Sequence, residues 1–413
     1  MSLVNKMNIL VLNAGSSSQK SCLYALKQNV LPSQPPEPLW EAQIDWTHQQ
    51  GVAELKVKTT TGVVLKDELS SVSRVNLTLQ MLETLWSRET QVLEKPQQID
   101  IVGHRVVHGG EKFRSSTLVT PEVKAAIASL TELAPAHNPA NLEGMEVVEQ
   151  ILGTELPQVA VFDTAFHTQM PLAAATYPGP YEWLNKGIRR YGFHGISHQY
   201  CAQQAAQLLG RELKHLRLIT CHLGNGCSLA AIREGYSVDT TMGFTPLEGL
   251  MMGTRSGSVD PGILIHLMRQ DNYTADELDQ VLNKASGLKG ISGISADMRQ
   301  IMTALTEGNS RARLALEIYI HRLRSGIGAM LASLGGLDAL IFTAGIGENS
   351  SDVRAAACES FEFLGLKLDP QKNIRSPEDR DIATANSKVR VLVIHTQEDW
   401  AIAQECWHLL HSN

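Results

Sequence analysis

Two stretches of this 413-residue sequence repeat one pattern, an apolar strand, a turn of small residues and an apolar strand that returns. NILVLNAGSSSQKSCLYAL lies in the first half of the chain, and RLITCHLGNGCSLAAI lies in the second. When the two are laid over each other on a glycine of the turn, the matched pairs are Gly15 with Gly224, Asn13 with His222, and Ser16 with Asn225. A hairpin that recurs in both halves of a chain predicts a duplicated structure.

A second pair of stretches favours the same prediction. VAVFDTAFH, which ends at His167, and ALIFTAGIG, which ends at Gly347, each look like a buried strand that breaks into a polar or glycine-rich turn. Two copies of a hairpin loop followed by a strand-end loop indicate a duplicated domain with a nucleotide held between the halves. The alternative is coincidence, because α/β proteins contain many such strands and these matches are short.

Apolar runs of strand length alternate with amphipathic stretches of helix length, which is typical of an α/β fold. The Pro-rich stretch Leu31–Pro38 is predicted to join two early strands, and Pro121–Leu133 is predicted to be a helix because proline suits a first helical turn. The strand-like runs are Ile9–Leu12, Ile101–Val102, Val159–Phe162, Leu218–Cys221, Leu340–Phe342 and Val389–Ile394.

Length and composition limit the class of protein. A chain of 413 residues favours two domains. The chain has 43% hydrophobic and 19% charged residues, as globular proteins do. Its net charge of -7 does not favour binding to nucleic acid or to an anionic membrane. The six cysteines form no CxxC pair, which argues against a zinc site or a disulfide framework. No apolar run is long enough for a membrane span or a signal peptide, so we expect a cytoplasmic protein.

The stretch VLNAGSSSQKS at residues 11–21 has the residue types that bind phosphate. Glycine lets backbone N–H groups approach an anion, and hydroxyls and an ammonium donate to its oxygens. The spacing differs from that of a P-loop, and the residues that follow resemble a returning strand instead of a helix. The stretch therefore predicts a phosphate-binding hairpin, with a plain turn as the alternative.

Seven motifs together resemble the acetate kinase family, which includes propionate kinases, and they span nearly the whole chain. They are NAGSSSQK from Asn13, GHRVVHGG from Gly103, FDTAFH from Phe162, YGFHG from Tyr191, HLGNG from His222, MGTRSG from Met252 and TAGIGEN from Thr343. The resemblance implies the superfamily of acetate and sugar kinases, heat-shock ATPases and actin, whose phosphate loops are hairpins.

The resemblance also implies a fold and a reaction. The fold is α/β, a duplicated two-domain ribonuclease H-like (actin-like ATPase) fold with the active site in the interdomain cleft. We expect one domain at residues 1–164, completed by a C-terminal helix at 400–413, and a second at 165–399. The reaction is reversible, direct in-line transfer of the ATP γ-phosphoryl group to acetate, giving acetyl phosphate and ADP. The resemblance further implies a homodimer, and domain closure on ATP is expected.

Phosphoryl transfer to a carboxylate must hold two anions together and spread the charge of the transferring oxygens. Arg105 and Arg255 lie in glycine-flanked segments, and a guanidinium can hold a carboxylate or phosphoryl oxygens through two bonds. By resemblance they are catalytic, together with Asp163 and with His194, which donates a hydrogen bond to the transferring group. A carboxylate is already a nucleophile, so His194 is expected to stabilise charge instead of acting as a base. The alternatives are surface ion pairs for the arginines and a structural role for the histidine.

The substrate pocket and the metal site also follow from the resemblance. Magnesium, with Mn²⁺ as an alternative, would be held by Asn13, Asp163 and Glu398, although an acid at a helix start is also a common cap. Besides the two arginines, the predicted acid-binding residues are Val107, Ala136, His137, Phe193 and Pro246. Val107 favours acetate, whereas Ala136 stands where relatives carry leucine and enlarges the pocket, so propionate should also be accepted.

For the nucleotide, the resemblance points to both hairpins and to two later segments. Because some relatives carry an aromatic residue at the position of Met298, the prediction of base selectivity is weaker. The predicted nucleotide-binding residues are Asn13, Ser16, Ser18, Lys20, His222, Leu223, Gly224, Asn225, Gly226, Asp297, Met298, Arg299, Gly345, Ile346, Gly347 and Asn349.

Three functions remain open on the residues alone. An acetate kinase is favoured, with a propionate or other short-chain carboxylate kinase as the alternative. A sugar or polyol kinase would need a carboxylate base such as Asp163, but paired arginines suit an anionic acceptor better. A module like the heat-shock ATPases would use ATP to change conformation, and the chain is expected to leave little room for a peptide-binding segment.

Overall fold

The structure of this protein is a computed structural model that describes residues 6–15, 18–27, 30–49, 51–70, 73–135, 137–375 and 379–411. Two predicted site residues, Ser16 and Ala136, lie outside these ranges. The chain divides into two compact units, a first unit of Met1–Ala165 with Gln397–Asn413 and a second unit of Phe166–Thr396. Whether they are independently folding domains with the expected boundaries stays a prediction.

The described strands are β1 Lys6–Ala14, β2 Ser18–Lys27, β3 Trp40–Gln49, β4 Val52–Thr59, β5 Val64–Ser70, β6 Ile101–Val106, β7 Thr117–Leu118, β8 Gln158–Phe162, β9 Arg217–Leu223, β10 Cys227–Arg233, β11 Tyr236–Thr240, β12 Ala339–Thr343, β13 Arg380–Asp381 and β14 Arg390–Val393.

The described α-helices are α1 Arg74–Glu83, α2 Pro121–Ser129, α3 Asn138–Leu152, α4 Leu172–Ala175, α5 Glu182–Asn185, α6 Gly195–Leu209, α7 Pro261–Gln270, α8 Ala275–Lys284, α9 Gly287–Ser292, α10 Met298–Thr306, α11 Ser310–Leu334, α12 Ala344–Asn349, α13 Ser351–Glu359, α14 Pro370–Ile374 and α15 Glu398–His411.

The predicted elements agree with these bounds except at some of their ends. The C-terminal helix, predicted over residues 400–413, begins two residues earlier, at Glu398. Each predicted strand falls within or overlaps a strand of the structure, and the Pro-rich stretch lies between β2 and β3. The helix predicted over Pro121–Leu133 ends as an α-helix at Ser129, and a 3₁₀ turn follows at Thr131–Leu133. Tightening of the last turn into 3₁₀ geometry is common where α-helical hydrogen bonding stops.

The first unit contains an eight-stranded sheet with the order β5-β4-β3-β2-β1-β6-β8-β7. β1 to β5 pair antiparallel with one another, β6 is parallel to both β1 and β8, and β7 is antiparallel to β8. Residues of β4 alternate between buried and solvent-facing positions, as its alternating sequence VAELKVKT requires. β8, QVAVF, is buried along its whole length, which is the pattern of a central parallel strand.

The second unit contains a six-stranded sheet with the order β11-β10-β9-β12-β14-β13. β9 is antiparallel to β10 and parallel to β12, and β12 is parallel to β14. Five strands of the first sheet, β3-β2-β1-β6-β8, therefore have the order and directions of β11-β10-β9-β12-β14. Both hairpins predicted from the sequence are confirmed, since β1 pairs with β2 and β9 with β10.

The second sequence parallel is wrong in its pairing. The stretch VAVFDTAFH belongs to β8, whose counterpart by position in the sheet is β14, and ALIFTAGIG belongs to β12, whose counterpart is β6. Central parallel strands are all short and apolar, so their composition does not distinguish one position in the sheet from another. Asp163, directly after β8, corresponds in topology to the residues that follow β14.

Helices cover both faces of the first sheet. On one face, α1 and α3 pack over a core that includes Leu10, Trp40 and Met81, all fully buried. On the other face, α15 packs on β1 and β6, with Trp400 and Tyr24 in edge contact at a ring distance of 5.4 Å. The C-terminal helix is thus part of the first unit.

In the second unit, α6 packs on β9 and β12, and the long helix α11 packs on β10, β9 and β11. α7 differs from them, because its sequence PGILIHLMRQ is rich in aliphatic residues and none of its residues is buried. All six cysteines are buried and unpaired, as predicted. No described helix has both the length and the apolar character needed to cross a membrane.

Close packing of α15 depends on Gly103 of β6. A Cβ atom at this position would lie 2.5 Å from Cγ2 of Ile402 and 2.6 Å from Sγ of Cys406. We expect Gly103→Ala to lower the free energy of unfolding by about 1–3 kcal/mol, because the helix must move to admit the methyl group. Urea denaturation followed by circular dichroism measures this change.

Gly328 of α11 provides the matched control. A Cβ there meets no atom within 4 Å, so Gly328→Ala should leave stability unchanged or raise it by about 0.5–1 kcal/mol. Equal denaturation curves for Gly103→Ala and the wild type would contradict the packing described for α15.

Candidate active site

Arg105 is the central cation of the first unit's part of the candidate site. It lies on β6, and Asp163 follows the neighbouring parallel strand β8, so the two side chains meet at the same edge of the sheet. The Arg105 Nε donates to both Asp163 oxygens at 3.1 Å, and Nη2 donates to Oδ2 at 2.6 Å. Nη1 donates to Oδ1 of Asn13, the residue near the end of β1, at 3.2 Å.

The charge of Arg105 is held by several carboxylates. Burial opposes this charge, but Asp163, Glu398 and Asp399 outweigh it and raise the pKa of the guanidinium. Asp163 is only 1% exposed, and the hydrogen bonds from Arg105 occupy its carboxylate. Arg105 is therefore a positioned cation in a surplus of negative charge, which suits a site that also takes a divalent cation.

Three polar residues near this cation were not predicted from the sequence. Asp399, in the first turn of α15, accepts a hydrogen bond from Asn13 Nδ2 at 2.9 Å. Asn141 donates its amide to the Ala14 carbonyl at 3.4 Å and accepts from the Val107 N–H at 3.3 Å. Asn138 bonds both the N–H and the carbonyl of His108. The two buried asparagines fix the backbone that follows β6. The repeated asparagines of AHNPAN were the sequence feature from which this role could have been predicted.

In the second unit, the turn of the β9–β10 hairpin lies beside two predicted catalytic residues. A Cβ placed on Gly226 would be 3.4 Å from Cε1 of His194 and 3.5 Å from Nη1 of Arg255. A Cβ on Gly253, in the MGTRSG motif, would lie 2.2 Å from Oδ1 of Asn225. Because neither glycine has a side chain, His194 and Arg255 can both approach the hairpin turn closely.

Arg255 is a half-buried cation without a neutralising carboxylate among the described residues. Its Nη1 donates to the Pro246 carbonyl at 3.3 Å and reaches Sδ of Met252 at 4.0 Å. Burial lowers its pKa, and only the nearby Cys227 thiol opposes this shift. A guanidinium held in this way stabilises an anion that enters the site, because no internal partner competes for it.

His194 has an unusual backbone and two ring contacts. Its φ of 56° places it in the left-handed region, where it caps the N-terminus of α6. The Nδ1 atom lies 2.8 Å from Oγ of Ser228, and the ring stacks on His222 with centroids 4.1 Å apart. Strained backbone of this kind persists where the surroundings fix it, and it is found at functional sites. This strain was not predicted from the sequence.

A cavity of about 870 Å³ in the second unit brings together most of the predicted adenosine-binding residues. Predicted residues in its lining are Gly224, Asn225, Asp297, Met298, Arg299, Gly345, Ile346 and Asn349. The lining also contains residues that were not predicted, namely Ala296, Met302, Ser350, Ser351 and Asp352. His222, Leu223, Gly226 and Gly347 do not line it, although His222 and Gly226 lie near His194 as described above.

Two local arrangements shape this cavity. Asp297 caps α10 by accepting from the Arg299 N–H at 2.9 Å, and its carboxylate also holds the Arg299 guanidinium. The hydrogen bonds from Arg299 lower the pKa of Asp297. Ala344 begins α12 with a φ of 63°, and its N–H donates to Glu348 at 2.7 Å. Gly345 and Ile346 are thereby presented at the start of a helix directly after β12.

The remaining predicted residues lie in different parts of the two units. In the first unit, Ser18 begins β2, Lys20 is exposed opposite Asn13, and His137 caps α3. Val107 is buried in the first unit, whereas Phe193 and Pro246 belong to the second. The roles assigned to these residues stay predictions.

Comparisons with known proteins show the family to which this chain belongs. The sequence model of the acetokinase family matches residues 8–404. The chain belongs to the acetokinase family. The acetate kinase of Gloeobacter violaceus is 68% identical over 404 residues, which cover 98% of this chain and 100% of that protein. The acetate kinase of a Cyanothece species is 66% identical over 407 residues, covering 98% of this chain and 99% of that protein.

Solved structures give the same result for the fold. The acetate kinase of Porphyromonas gingivalis matches with a TM-score of 0.89 and 40% identity, covering 98% of this chain and 100% of that chain. A propionate kinase from Francisella tularensis matches with a TM-score of 0.86 and 39% identity, covering 97% of this chain and 98% of that chain. The predicted family, fold class and kinase activity are therefore confirmed.

Two buried histidines near the site predict a loss of stability in acid. Burial lowers the pKa of His104 and of His167 to about 4 each. Both stay neutral in the folded state, whereas the unfolded chain binds a proton below the ordinary pKa of about 6.5. Their contribution is therefore present above pH 6.5 and is lost as the pH falls towards 4. Between pH 7 and pH 5 we expect a loss of about 2 kcal/mol for each histidine.

Chemical denaturation at both pH values measures this loss, and His104→Gln should reduce it by the share of one histidine. His321→Gln is the control, because it removes an exposed imidazole of α11 and should leave the loss contributed by the two buried histidines in place. If His104→Gln had the same pH dependence as the wild type, the assignment of a buried neutral His104 would be contradicted.

Proposed function

We propose that this chain catalyses reversible transfer of the γ-phosphoryl group of ATP to acetate, giving acetyl phosphate and ADP. The observation that carries this proposal is Arg255, a half-buried cation beside His194 and the glycine turn of a phosphate hairpin. Acetate and the transferring phosphoryl group are both anions, and this position offers a cation that no described carboxylate neutralises. The transfer is direct and in line, with acetate as the nucleophile.

Each site residue of the second unit has a distinct role in this proposal. Arg255 holds acetate or the equatorial oxygens of the transferring group through its guanidinium. His194 donates a hydrogen bond to the same group, whose charge grows in the transition state. Asn225 and Gly226 contact the phosphates of the nucleotide, and the cavity beside them takes the adenosine. His222 supports His194 through the stacked rings.

The residues of the first unit complete the phosphate and acetate contacts. Arg105 presents a guanidinium that Asp163 holds in place, and Asn13 connects this pair to the start of α15. Ser16, Ser18 and Lys20 belong to the first hairpin and bind phosphate oxygens in this proposal. Val107, Ala136, His137, Phe193 and Pro246 are the residues proposed to recognise the short alkyl group of the acid.

Magnesium is proposed to assist the transfer, and the oxygen donors of the first unit fit it. No group of three His, Cys, Asp or Glu side chains within the described ranges is placed to hold a metal. Mg²⁺ usually takes only one or two carboxylates and completes its shell with water and phosphate oxygens. Asp163 and Glu398, with Asn13, would hold it here, and Mn²⁺ is the alternative. When bound, the ion neutralises negative charge on the nucleotide phosphates.

Acetate is favoured over propionate by the relatives in sequence, because curated acetate kinases are 62–68% identical to this chain. The fold does not separate the two acids, since an acetate kinase and a propionate kinase match with TM-scores of 0.89 and 0.86. One methylene in an apolar pocket changes selectivity by about 1–3 kcal/mol. We therefore propose a modest preference for acetate, with propionate accepted and butyrate poor.

The protein is further proposed to act in the cytoplasm as a homodimer. α7 supports the dimer, because Ile263, Ile265 and Met268 are each about half exposed, and Ile265 and Met268, three positions apart, share one face of the helix. A two-fold dimer places the same patch on both subunits, so a helix of this composition can cover its own copy. Light scattering of the intact protein should give twice the chain mass, and Ile265→Asp should shift it towards the monomer.

Incubation with ATP, magnesium and a panel of acids tests the reaction, with acyl phosphate trapped by hydroxylamine. We expect kcat/KM to decrease from acetate to propionate and to fall sharply for butyrate. ADP release with a sugar or polyol, but without acyl phosphate from any acid, would contradict the proposed function. It would instead support a sugar kinase.

Replacement of Arg255 tests the residue that carries the proposal. Arg255→Ala should lower kcat by about 10²- to 10³-fold, the usual effect of losing one donor to the transition state. Arg255→Lys should restore little activity, because an ammonium lacks the planar fork. Arg105→Ala should also lower kcat, but it breaks the ion pair with Asp163, so Arg255 gives the clearer result.

The matched control is Arg313→Ala, which removes an exposed arginine of α11 and should leave kcat unchanged. Circular dichroism must show that each variant is folded. Wild-type turnover by a folded Arg255→Ala protein would be incompatible with the proposed role.

A further inference from the structure

Behind His194, a chain of hydrogen bonds runs through buried side chains of the second unit. Thr220 Oγ1 lies 2.6 Å from Nδ1 of His198, and Nε2 of His198 lies 2.8 Å from Oγ of Ser228. The same Ser228 oxygen lies 2.8 Å from Nδ1 of His194. Ser228 thus joins the proposed catalytic histidine to a second histidine. We call these four residues, Thr220, His198, Ser228 and His194, the relay.

Water does not reach the inner part of the relay. Thr220, His198 and Ser228 are each 0% exposed. Burial, together with the nearby His167 and His222, lowers the pKa of His198 well below its ordinary value, so its ring is neutral. A neutral imidazole carries one proton and therefore donates from one nitrogen while it accepts at the other.

The protons can be placed by starting from Thr220. Its hydroxyl has one proton, and His198 Nδ1 is the hydrogen-bond partner that the structure gives it. Because a buried O–H group needs an acceptor, Thr220 donates to Nδ1. His198 then carries its proton on Nε2 and donates to Ser228, and Ser228 donates its own proton to Nδ1 of His194. The proton of neutral His194 is left on Nε2.

We infer that Ser228, His198 and Thr220 are positioning residues that fix the proton of His194 on Nε2. This inference rests on the proposed function, in which His194 donates a hydrogen bond to the transferring phosphoryl group. The Nε2 atom lies 3.5 Å from the position of a Cβ on Gly226, on the side where Arg255 converges. With the proton on Nδ1 instead, an unprotonated nitrogen would face the negatively charged group.

A second hydrogen-bonded pair places the proton of the stacked ring in the same way. Thr396 Oγ1 donates to Ser197 Oγ at 3.0 Å, and the Ser197 hydroxyl also contacts the buried Cys201 thiol. Because a thiol is a weak acceptor, the Ser197 proton goes to Nδ1 of His222 at 2.8 Å. His222 therefore also carries its proton on Nε2, and this atom lies 3.7 Å from the position of a Cβ on Gly224. Both stacked histidines direct an N–H group from Nε2 under this arrangement.

The proton positions are measurable by nuclear magnetic resonance without any substrate. In protein labelled with ¹⁵N-histidine, long-range proton–nitrogen spectra distinguish a protonated ring nitrogen from an unprotonated one. His167 serves as an internal reference, because its Nε2 faces the Phe193 carbonyl at 3.0 Å and must donate. Comparison with His194→Gln identifies the His194 signals. We expect His194 and His198 to be protonated on Nε2.

Ser228→Ala and Thr220→Val break the relay at two places, and Thr220 does not touch His194. Both variants should give His194 a mixture of the two neutral forms. For Ser228→Ala we expect kcat to fall about 10-fold with KM for ATP and acetate within about twofold, less than the 10²- to 10³-fold loss of a whole donor. Thr220→Ser keeps the hydroxyl and should restore both the spectrum and kcat.

Ser237→Ala is the matched control. It removes a buried serine hydroxyl 2.7 Å from Nδ1 of His167, whose Nε2 proton stays fixed by the Phe193 carbonyl. The His194 spectrum and kcat should therefore be unchanged. Thermal melting of each variant separates loss of the relay from loss of the fold.

Four outcomes decide the inference. Protonation of wild-type His194 on Nδ1 would overturn it, and so would wild-type spectra for both Ser228→Ala and Thr220→Val. A mixture of forms in these two variants, with the expected fall in kcat, supports it. If the wild type shows the expected proton positions but forms no acyl phosphate, the proposed function fails while the proton placement is supported.

Discussion

Antiparallel pairing of two strands across a glycine-led turn, present once in each unit, determines where the functional residues of this chain lie. In the first unit, β1 ends at Ala14, and the Gly15 N–H bonds the Ser18 carbonyl at 2.8 Å. In the second unit, the Gly224 N–H bonds the Gly226 carbonyl at 3.0 Å. The register of each hairpin is fixed. Asn13 therefore lies at the edge of its own sheet where the neighbouring parallel strands end, and His222 lies at the corresponding edge of the other sheet. Arg105 and Asp163 gather at one such edge.

Two arginines that look alike in the sequence differ in their charge environment. Arg105 is held by Asp163 through three hydrogen bonds, whereas Arg255 contacts a carbonyl and a thioether. A buried cation with a carboxylate partner is rigid and partly neutralised, while a half-buried cation without one gains most when an anion arrives. Arg105 is therefore the more rigidly held of the two guanidinium groups, and Arg255 is the one whose charge no described carboxylate offsets.

The sequence was sufficient to predict the hairpins, the strands and most of the residues that line the cavity of the second unit, because hydrophobic periodicity, glycine and short motifs are local signals. It was insufficient where a role depends on residues distant in the chain. Asp399 reaches Asn13 only because α15 packs on β1, and Ser228 joins two histidines only because β10 lies beside α6. The wrong pairing of β8 with β12 has a related cause. Buried parallel strands have the same apolar composition at every position in a sheet, so composition alone could not show which strands correspond.

Burial of histidine links packing, acid stability and chemistry in the second unit. His167 and His198 are kept neutral because burial disfavours their charged forms. A charged His198 would donate from both nitrogens, so Thr220 could no longer donate to its Nδ1 atom. The proton order of the relay therefore exists only while the ring is neutral. The same desolvation that makes the fold sensitive to acid also gives His194 a single proton position, so the stability of the unit and the proton placement at its site have one physical origin.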